Sequence, residues 1–553
     1  MLNDIGYDDK SIASEMCVGF KLAGPIPPSP VFKKKRTSAT LSVNDLRHSA
    51  HVTRQGIILS TVSSGDDELD RALQAVTDKE LEKGWLWGPI DVSSLPETAC
   101  VSRRFGIWQG GKCRPIDNLK ESGINATTSA ADTITVHTAD YTAAGISYKM
   151  SCGTTDELSI KTWDLRKAYK NLPVHLESLN DNYLSVFHPG EGSARVYGQR
   201  VLPFGSTASV HGFVRVAVAL WTLAVKIFRI HWSVYFDDFI CVEYSSLSRL
   251  TDMCICNFFN LLGWETSDDK DSVFSSVAKF LGLEIDLSSV RLGCFTMQNT
   301  KKRRTEIADS IDAILKSGKL ARKEAASLRG RLIFAECQIA GRSAGSAFHI
   351  LTQHLLSGKT AIDDEVKQAL TFLKDRLTGG IPRTISLCLG EVVHIYVDAS
   401  FEPHGRYPAG IGGVLILSGS TPFRYFGETI DSSLLDVLNE AKSEHPIYEL
   451  ECFAIFSAIQ LWHNFIKHRH VVIFTDNDGS LGAMIKGFSS NPTGMKIVRN
   501  ANTLLDEGCS ICWFERVNTC SNIADEPSRV PICSGLGDRE DVNLKSLVEH
   551  AIK

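Results

Sequence analysis

This 553-residue sequence lacks an apolar run long enough to predict a membrane-spanning helix. Its most apolar stretch, residues 216–228, directly follows Arg215 and is interrupted by Lys226. It also lacks a segment typical of a secretory signal peptide. Fifteen cysteines are present, but their spacing does not indicate a disulfide framework. These absences predict an intracellular protein, cytoplasmic or nuclear, with reduced thiols and no membrane partner.

Further absences narrow the chemistry that the sequence supports. It contains no Asp-Ser-Gly or Asp-Thr-Gly triplet, the motif of an aspartic protease. Cys509 and Cys512 have His463 and His468 upstream, but a gap of about forty residues is too long for the spacing of a zinc site. The formal net charge of −5 weighs mildly against a nucleic-acid partner, although the local charge distribution matters more than the sum.

Two adjacent aspartates, Asp237 and Asp238, are the most informative feature that is present. They lie in segment 231–244, HWSVYFDDFICVEY, whose aromatic and β-branched residues predict two strands joined by a turn at the aspartates. Like charges this close repel each other unless a cation neutralises them. Hard carboxylate oxygens select Mg²⁺ or Mn²⁺ for that role. The other Asp-Asp pairs lack apolar strands on both sides: Asp8-Asp9, Asp66-Asp67, Asp268-Asp269 and Asp363-Asp364.

A third aspartate, Asp164, ends a short extended stretch in segment 161–174, KTWDLRKAYKNLPV. Tyr169 follows five residues later, where the chain turns toward a helix. Segment 201–221 then contains a Pro-Phe-Gly turn followed by an apolar helical run. The order of carboxylate, turn with helix, and Asp-Asp hairpin resembles motifs A, B and C of reverse transcriptases.

The resemblance extends in both directions along the chain. Residues 103–125, RRFGIWQGGKCRPIDNLKESGIN, resemble the fingers region of that family. Residues 262–264, Lys270 and residues 280–286 resemble its D and E motifs. The resemblance implies a right-hand polymerase with fingers, palm and thumb.

It also implies a role for each motif residue. Asp164 and Asp237 would bind the metal ions directly, two in the site, with Asp238 supporting them. Tyr169 would be a steric gate that excludes the ribose 2′-OH. The remaining residues of the implied substrate site are Phe204, Gly205, Lys112, Arg114 and Lys270.

Phe204 and Gly205 would pack on the incoming nucleotide and the template. Lys112 and Arg114 would clamp the triphosphate of the incoming nucleotide, since guanidinium groups pair with phosphate oxygens. The length of the hairpin that carries Lys112 and Arg114 departs from the better-known pattern of the family. Arg103 or Arg104 is therefore an open alternative to Lys112 as the second cation that binds the triphosphate.

The C-terminal part of the sequence carries a second set of acidic residues. Predicted strands at 392–401, 410–417 and 422–428 precede a helix at 448–466, and further strands follow at 470–478 and 510–517. This order, with acids at strand ends, is similar to that of ribonuclease H. The resemblance assigns the metal ligands, again for two ions, to Asp398, Glu451, Asp476 and Asp525.

Glu451 is preferred to Glu449 as the catalytic glutamate. Positions three and seven residues after Glu451 are Ala454 and Ala458, which would let the helix lie close to the sheet. The same positions after Glu449 are Cys452 and the bulky Phe456. Many ribonuclease H enzymes carry a histidine before the last aspartate, and the loop 517–522 has none.

The sequence therefore predicts a multidomain protein that combines α+β and α/β parts. The predicted domains are a weakly patterned extension (1–84), fingers and palm (85–290), a helical thumb or connection (291–387), a ribonuclease H-like domain (388–530) and a tail (531–553). Residues 301–342 contain eleven Lys and Arg residues against five acids, as expected of a thumb that grips phosphates.

The predicted function is RNA-directed DNA synthesis by a retrotransposon protein that also degrades the RNA of the hybrid. Its expected partners are an RNA template, a DNA primer, an RNA–DNA hybrid and deoxynucleoside triphosphates; its oligomeric state stays open. DIRS-type elements are the closest resemblance and gypsy-type elements the next. The alternative is a decayed or domesticated copy that binds nucleic acid without polymerising. The basic run 33–36 predicts either a nuclear-import signal or a basic loop.

Overall fold

A computed structural model describes residues 1–153, 156–267, 272–387, 391–417, 423–530, 532–533 and 535–553. By its internal contacts the chain divides into two units, Met1–Ala278 and Lys279–Lys553. The domain boundaries inferred from the sequence stay predictions. Lys270, expected in the substrate site, lies outside the described residues.

The first unit combines helices with three β-sheets. Its helices are α1 (Ile12–Val18), α2 (Val43–Ser60), α3 (Asp67–Glu82), α4 (Ala139–Ser151), α5 (Thr207–Phe228) and α6 (Ser248–Leu261). Its strands are β1 (Lys33–Thr37), β2 (Leu86–Ile90), β3 (Val101–Gln109), β4 (Lys112–Asp117), β5 (Ala130–Thr133), β6 (Leu158–Asp164), β7 (Tyr183–His188), β8 (Ser193–Gln199), β9 (Trp232–Tyr235) and β10 (Asp238–Tyr244).

The sheets of the first unit have the strand orders β6-β10-β9, β2-β8-β7-β3-β4 and β1-β5. The three-stranded sheet packs with α5 and α6 around a core that contains Trp163, Phe213, Phe239 and Phe259. Alternating side chains of β6 and β10 face this core, since successive residues of a strand point to opposite faces.

Helix α5 corrects one expectation from the sequence. It is long and apolar enough to span a membrane by length and composition, because it begins at Thr207 and extends well beyond the run that starts at residue 216. In its most apolar window, 72% of the residues are buried inside the fold. Phe213, Val216 and Leu220 are part of the core of the first unit, as in the central helix of a folded domain.

The first 84 residues are integrated into the first unit. Ile12, Phe20 and Leu22 are buried in the same core as α5. The guanidinium of Arg215, on α5, is buried and binds the carboxylates of Asp9 at 2.8 Å and Glu15 at 2.8 Å. Contacts with a residue about two hundred positions away therefore help to hold the start of this segment in place.

The second unit contains the remaining elements. Its helices are α7 (Lys301–Ser317), α8 (Arg322–Glu336), α9 (Gly345–Ser357), α10 (Asp364–Gly379), α11 (Ser432–Leu438), α12 (Ile447–Leu461), α13 (His463–Ile466), α14 (Asp478–Lys486), α15 (Pro492–Glu507), α16 (Asp525–Arg529) and α17 (Leu544–Ile552). Its strands are β12 (Leu283–Asp286), β13 (Cys294–Asn299), β14 (Arg383–Ser386), β15 (Val392–Phe401), β16 (Ala409–Ile416), β17 (Arg424–Thr429), β18 (His470–Thr475), β19 (Ile511–Arg516) and β20 (Asp538–Arg539). Strand β11 (Val277–Phe280) contains the boundary between the units and is the edge strand of the sheet β11-β12-β13-β14.

Helices α7 to α10 form a bundle whose core includes Ile307, Ile311, Leu328 and Leu370. The bundle is followed by a six-stranded sheet of order β19-β18-β15-β16-β17-β20. Strand β15 pairs antiparallel with β16 and parallel with β18. Helix α12 is buried along most of its length against this sheet, which explains why it is apolar on every face.

Two candidate active sites

The three aspartates of the first unit meet at the end of the three-stranded sheet. Asp164, the last residue of β6, lies directly opposite Asp238, the first residue of β10, in the antiparallel register. Asp237 occupies the two-residue loop between β9 and β10, where Phe236 has a φ of 54°. A positive φ is what a tight two-residue hairpin requires. The backbone N–H of Leu165 donates to the carbonyl of Asp237 at 3.0 Å, which fixes the loop against β6.

A cleft of about 560 Å³ opens beside these aspartates. Six of the predicted site residues line it: Lys112, Arg114, Asp164, Tyr169, Phe204 and Asp237. Asp238 and Gly205 are not among its lining residues. Gly205 has a φ of 123°, and a Cβ there would lie 2.2 Å from the carbonyl oxygen of Asp117. Only glycine therefore allows the turn to approach β4 this closely.

Tyr169 lines the cleft together with Asp237 and Phe204. Its ring packs edge-on against Phe204 at 5.8 Å and tilted against Phe213 at 4.8 Å. Burial and the nearby charge of Asp237 raise the pKa of the phenol above its usual value. The side chain is thus neutral, and its ring contacts hold it at the cleft.

Arg103 and Arg104, the alternatives for the second triphosphate-binding cation, have different surroundings. Arg104 is fully buried and binds Asp117 at 2.7 Å and Glu80 at 2.8 Å, so it cannot reach a nucleotide. Arg103 is partly exposed and binds Glu121 at 3.0 Å. Lys112 and Arg114 lie on β4 and face the cleft.

Sequence reasoning missed four further charged lining residues, Glu80, Arg166, Lys167 and Lys170. Burial and the neighbouring Arg104 lower the pKa of Lys170, which lies 3.4 Å from Glu80. Burial disfavours the charge of Glu80, but Arg104 and Lys170 outweigh it and hold its pKa below the usual value. The cluster of cations that follows Asp164 in the sequence could have indicated these cleft residues, whereas no sequence pattern indicates Glu80 on α3.

Asn125 connects the predicted fingers region to the Pro-Phe-Gly turn. Its side-chain amide donates to the carbonyl of Gly205 at 2.9 Å and accepts the N–H of Thr207 at 2.9 Å. The backbone N–H of Asp117 donates to the carbonyl of Phe204 at 3.0 Å. These bonds hold the turn, and with it Phe204, at the cleft.

In the second unit, Asp398, Glu451 and Asp476 form a close carboxylate group. Asp398 lies on β15, Glu451 on the first turns of α12, and Asp476 directly after β18. One oxygen of each lies within 4.8 Å of the others. Within the part of the chain that the structure describes, this is the one group of three acids, histidines or cysteines that meets this distance. Asp164, Asp237 and Asp238 are less tightly grouped.

The carboxylates of this group disfavour each other's charge. Burial, with Asp476 and Asp525 adding to it, raises the pKa of Asp398 to about 7. Burial and the charges of Asp398 and Asp476 raise the pKa of Glu451 well above its usual range. Three carboxylate oxygen donors this close together match the donor set of a divalent metal site.

The fourth predicted ligand, Asp525, is not part of the close group. It begins α16 and is bound by Arg529 at 3.1 Å. On the same helix, Ser528 donates its hydroxyl to Asp398 at 2.6 Å. A Cβ at Gly412 would lie 2.4 Å from the backbone N of Ser528, so this glycine lets α16 lie directly on β16.

The two candidate glutamates of α12 have different neighbours. Glu451 contributes to the close carboxylate group. Glu449 is also buried, but its carboxylate accepts a hydrogen bond from Asn491 at 2.7 Å. Ala454 and Ala458, the alanines after Glu451, are fully buried in the core of this domain.

Strands β15 to β17 pair antiparallel, and β18 and β19 join them in parallel, which is the topology of a ribonuclease H-like domain. The sixth strand, β20, pairs in parallel with β17 at the other edge of the sheet. Residues 432–505 match the family model described as the RNase H-like domain found in reverse transcriptase. The predicted resemblance to reverse transcriptases with a ribonuclease H domain is confirmed. The predicted fold class, a mixed α/β multidomain protein, is confirmed as well. A search of curated proteins finds no significant match.

Solved structures of similar fold include three of foamy viral protease-reverse transcriptase. The one titled dRH in complex with double-stranded DNA is 14% identical, with a TM-score of 0.47, over 90% of this chain and 75% of that chain. A second complex with double-stranded DNA is 15% identical, with a TM-score of 0.45, over 94% of each chain. A complex with an RNA/DNA hybrid is 13% identical, with a TM-score of 0.45, over 94% of this chain and 60% of that chain.

Proposed function

We propose that this protein is the RNA-directed DNA polymerase of a retrotransposon, with ribonuclease H activity on the resulting hybrid. The observation that carries the proposal is the presence of two carboxylate sites at sheet ends, one in each unit. The first lies beside a cleft with cations and aromatic rings. The second lies in the domain whose segment matches the reverse-transcriptase ribonuclease H model.

For DNA synthesis, Asp164 and Asp237 would hold Mg²⁺ or Mn²⁺, with Asp238 supporting them from the adjacent strand position. Two bound ions would stabilise the attacking 3′-oxygen and the leaving pyrophosphate. Lys112 and Arg114 would bind the triphosphate oxygens from the β3–β4 hairpin. Tyr169 would block the position of a ribose 2′-OH, and Phe204 would pack on the base pair.

For hybrid cleavage, Asp398, Glu451 and Asp476 would hold the ions, with Asp525 at the edge of the site. Bound metal would activate a water molecule for attack on the phosphodiester of the RNA strand. Ser528 orients Asp398 by donating to its Oδ2. Arg529 neutralises Asp525 until a cation or substrate competes for that carboxylate.

The helical bundle supports a nucleic-acid partner for the second unit. Several cations of α7, α8 and the segment between them are exposed, among them Lys301, Lys316, Lys319, Arg322 and Lys323. These five have no carboxylate partner among the described residues. A row of such cations on helices suits contacts to a phosphate backbone, which carry affinity without sequence preference.

Two single substitutions test the proposal. Wild-type protein, Asp237→Asn and Asp476→Asn are compared for extension of a DNA primer on an RNA template and for cleavage of a preformed hybrid, both with Mg²⁺. Asp237→Asn should abolish extension and keep hybrid cleavage, and Asp476→Asn should do the reverse. Loss of both activities in either variant would contradict two separate sites.

The second candidate is a protein that binds nucleic acid without polymerising, as a decayed or domesticated element would. The presence of all seven proposed carboxylates favours the active enzyme, since one lost ligand would be enough to remove an activity. Wild-type protein that binds primer–template but neither extends nor cleaves it would establish this candidate. An intracellular location, cytoplasmic or nuclear, is part of the proposal.

A further inference from the structure

We propose that the exposed basic strand β1 binds the phosphate backbone of the template strand close to the candidate polymerase cleft. The basic ribbon is defined here as residues 33–36 of β1 together with the strand β5 on which they pair. The inference rests on the proposed function for its ligand, a nucleic-acid template.

The ribbon carries four consecutive cations, Lys33, Lys34, Lys35 and Arg36, and all four side chains are exposed. None of them has a carboxylate partner within the residues that the structure describes. Lys33 and Lys34 lie opposite Thr133 and Asp132 of β5, and the register shifts between Lys34 and Thr37, so Lys35 and Arg36 lie at an irregularity of the strand.

The ribbon is attached to the core of the first unit. Lys34 lies opposite Asp132 of β5, and the carboxylate of Asp132 accepts the N–H of Ser29 at 2.6 Å. The other oxygen of Asp132 lies 2.7 Å from Nε2 of the buried His211 on α5. Phe32, directly before the ribbon, packs edge-on against the same imidazole at 5.5 Å. The cations are therefore presented on a fixed strand, which lowers the entropic cost of binding.

Hydrogen bonds connect the end of the ribbon to the cleft. The backbone N–H of Thr40 donates to the carbonyl of Ala126 at 2.9 Å. The preceding residue, Asn125, binds the carbonyl of Gly205, next to the cleft residue Phe204. Arg36 is four residues from Thr40, so their Cα atoms are at most about 14 Å apart. The chain that follows the ribbon is thus hydrogen-bonded, through residues 125 and 126, to the turn that carries Phe204.

Two alternative roles for the basic ribbon fit its residues less well. Edge strands often carry lysine to prevent pairing with other chains, but a single charge serves that purpose. An import signal is read as an extended peptide, whereas the backbone of Lys33 and Lys34 pairs with β5, and the nearby Ser29 and Phe32 are buried.

The test measures how primer–template binding depends on salt. Fluorescence anisotropy with a labelled DNA primer on an RNA template is recorded for the full chain between about 50 and 200 mM salt. The neutralised variant is Lys33→Gln/Lys34→Gln/Lys35→Gln/Arg36→Gln, and the charge-retaining variant is Lys33→Arg/Lys34→Arg/Lys35→Arg/Arg36→Lys. A matched control replaces four exposed cations elsewhere in the same unit: Lys10→Gln/Lys79→Gln/Lys226→Gln/Arg249→Gln.

Neutralisation should weaken binding about 10- to 100-fold at 100 mM salt and reduce the slope of log K against log salt by about two, since each lost phosphate contact removes about 0.7–0.9. The charge-retaining variant should bind like wild type, and the control should change the slope by less than half as much. An unchanged slope, an equal change in the control, or failure of the charge-retaining variant to bind normally would overturn the inference. Unchanged binding with loss of nuclear accumulation would overturn it in favour of an import signal.

Primer extension separates this inference from the proposed function. Wild-type protein that binds in the expected salt-dependent way but never extends a primer would remove the polymerase proposal, while the ribbon would still be judged by its own slope. Normal extension by wild type together with an unaffected neutralised variant would remove only the ribbon. All variants should melt within about 2 °C of wild type, because substitutions of exposed charges change stability by less than about 0.5 kcal/mol.

Discussion

The carboxylate of Asp506, on α15, lies 2.8 Å from Nη1 of Arg376, on α10. The same carboxylate accepts the backbone N–H groups of Arg342 and Ser343 at 2.9 and 3.0 Å. Arg376 also binds Glu336 of α8 at 2.9 Å. This partly buried cluster joins the helical bundle to a helix that packs on α12, so the second unit is held together by charge as well as by apolar packing.

Replacing Asp506 by Ala should destabilise the second unit by about 2–4 kcal/mol, because it leaves two N–H groups without an acceptor and one carboxylate fewer for Arg376. Urea unfolding of the full chain, followed by tryptophan fluorescence, measures the loss. The control is Glu507→Ala, which removes a neighbouring exposed carboxylate of the same helix. Equal stability of the two variants would contradict a structural role for the cluster.

Tyr169 should determine the choice between deoxynucleotides and ribonucleotides. Tyr169→Val removes the ring beside Asp237 and should increase the relative incorporation of ribonucleotides at least about tenfold, equivalent to about 1.4 kcal/mol of discrimination. Tyr169→Phe keeps the ring and should retain wild-type selectivity. Single-nucleotide extension with matched deoxy- and ribonucleoside triphosphates measures the ratio. If Tyr169→Val selects as strictly as wild type, another residue is the gate.

His137 should make the first unit sensitive to acid. Its ring stacks on Tyr141 at 3.9 Å, its Nδ1 accepts the N–H of Val234 at 3.1 Å, and burial lowers its pKa to about 4. The unfolded chain, with a histidine pKa near 6.5, binds more protons between pH 4 and 6.5. Stability is therefore lost as the pH falls through this range, by at most about 3 kcal/mol.

The variant His137→Asn keeps an acceptor for Val234 but does not titrate in this range. It should be less stable than wild type at pH 7 and should lose less stability between pH 7 and pH 4.5. Unfolding free energies at several pH values, compared with those of the exposed-histidine control His48→Asn, give the two slopes. A slope in His137→Asn equal to that of wild type would show that other groups cause the acid sensitivity.

Local sequence patterns were sufficient where neighbouring residues determine the structure. The β-branched and aromatic residues around Asp237 indicated a hairpin, and the structure places Asp238 opposite Asp164. The alanine spacing on α12 separated Glu451 from Glu449 because both positions lie on one helix. The hairpin and the helical spacing each arise within about a dozen residues, whereas the pairing of Asp238 with Asp164 joins strands that are far apart in the sequence.

The remaining features depend on residues far apart in the sequence. Glu80 reaches the cleft through Arg104 and Lys170, which no local pattern indicates. The burial of Arg215 requires Asp9, a partner more than two hundred positions away. The placement of Asp525 outside the close carboxylate group depends on Arg529 and on the packing of α16. A single sequence contains no periodicity that reports such long-range pairs.

Metal removal should expose the mutual repulsion of Asp398, Glu451 and Asp476. After chelation, the stability of the second unit should fall as the pH rises toward and beyond 7, because the raised pKa of Asp398, about 7, means that the folded state binds more protons than the unfolded chain. Added Mg²⁺ should raise the melting temperature by several degrees at pH 8, at about 2–4 °C for each kcal/mol. Glu451→Gln should melt higher than wild type without metal and gain less from Mg²⁺, whereas Glu449→Gln keeps an oxygen that can accept from Asn491 and should gain as much as wild type. If Mg²⁺ stabilises Glu451→Gln and wild type equally, the close carboxylate group is not where the ion binds.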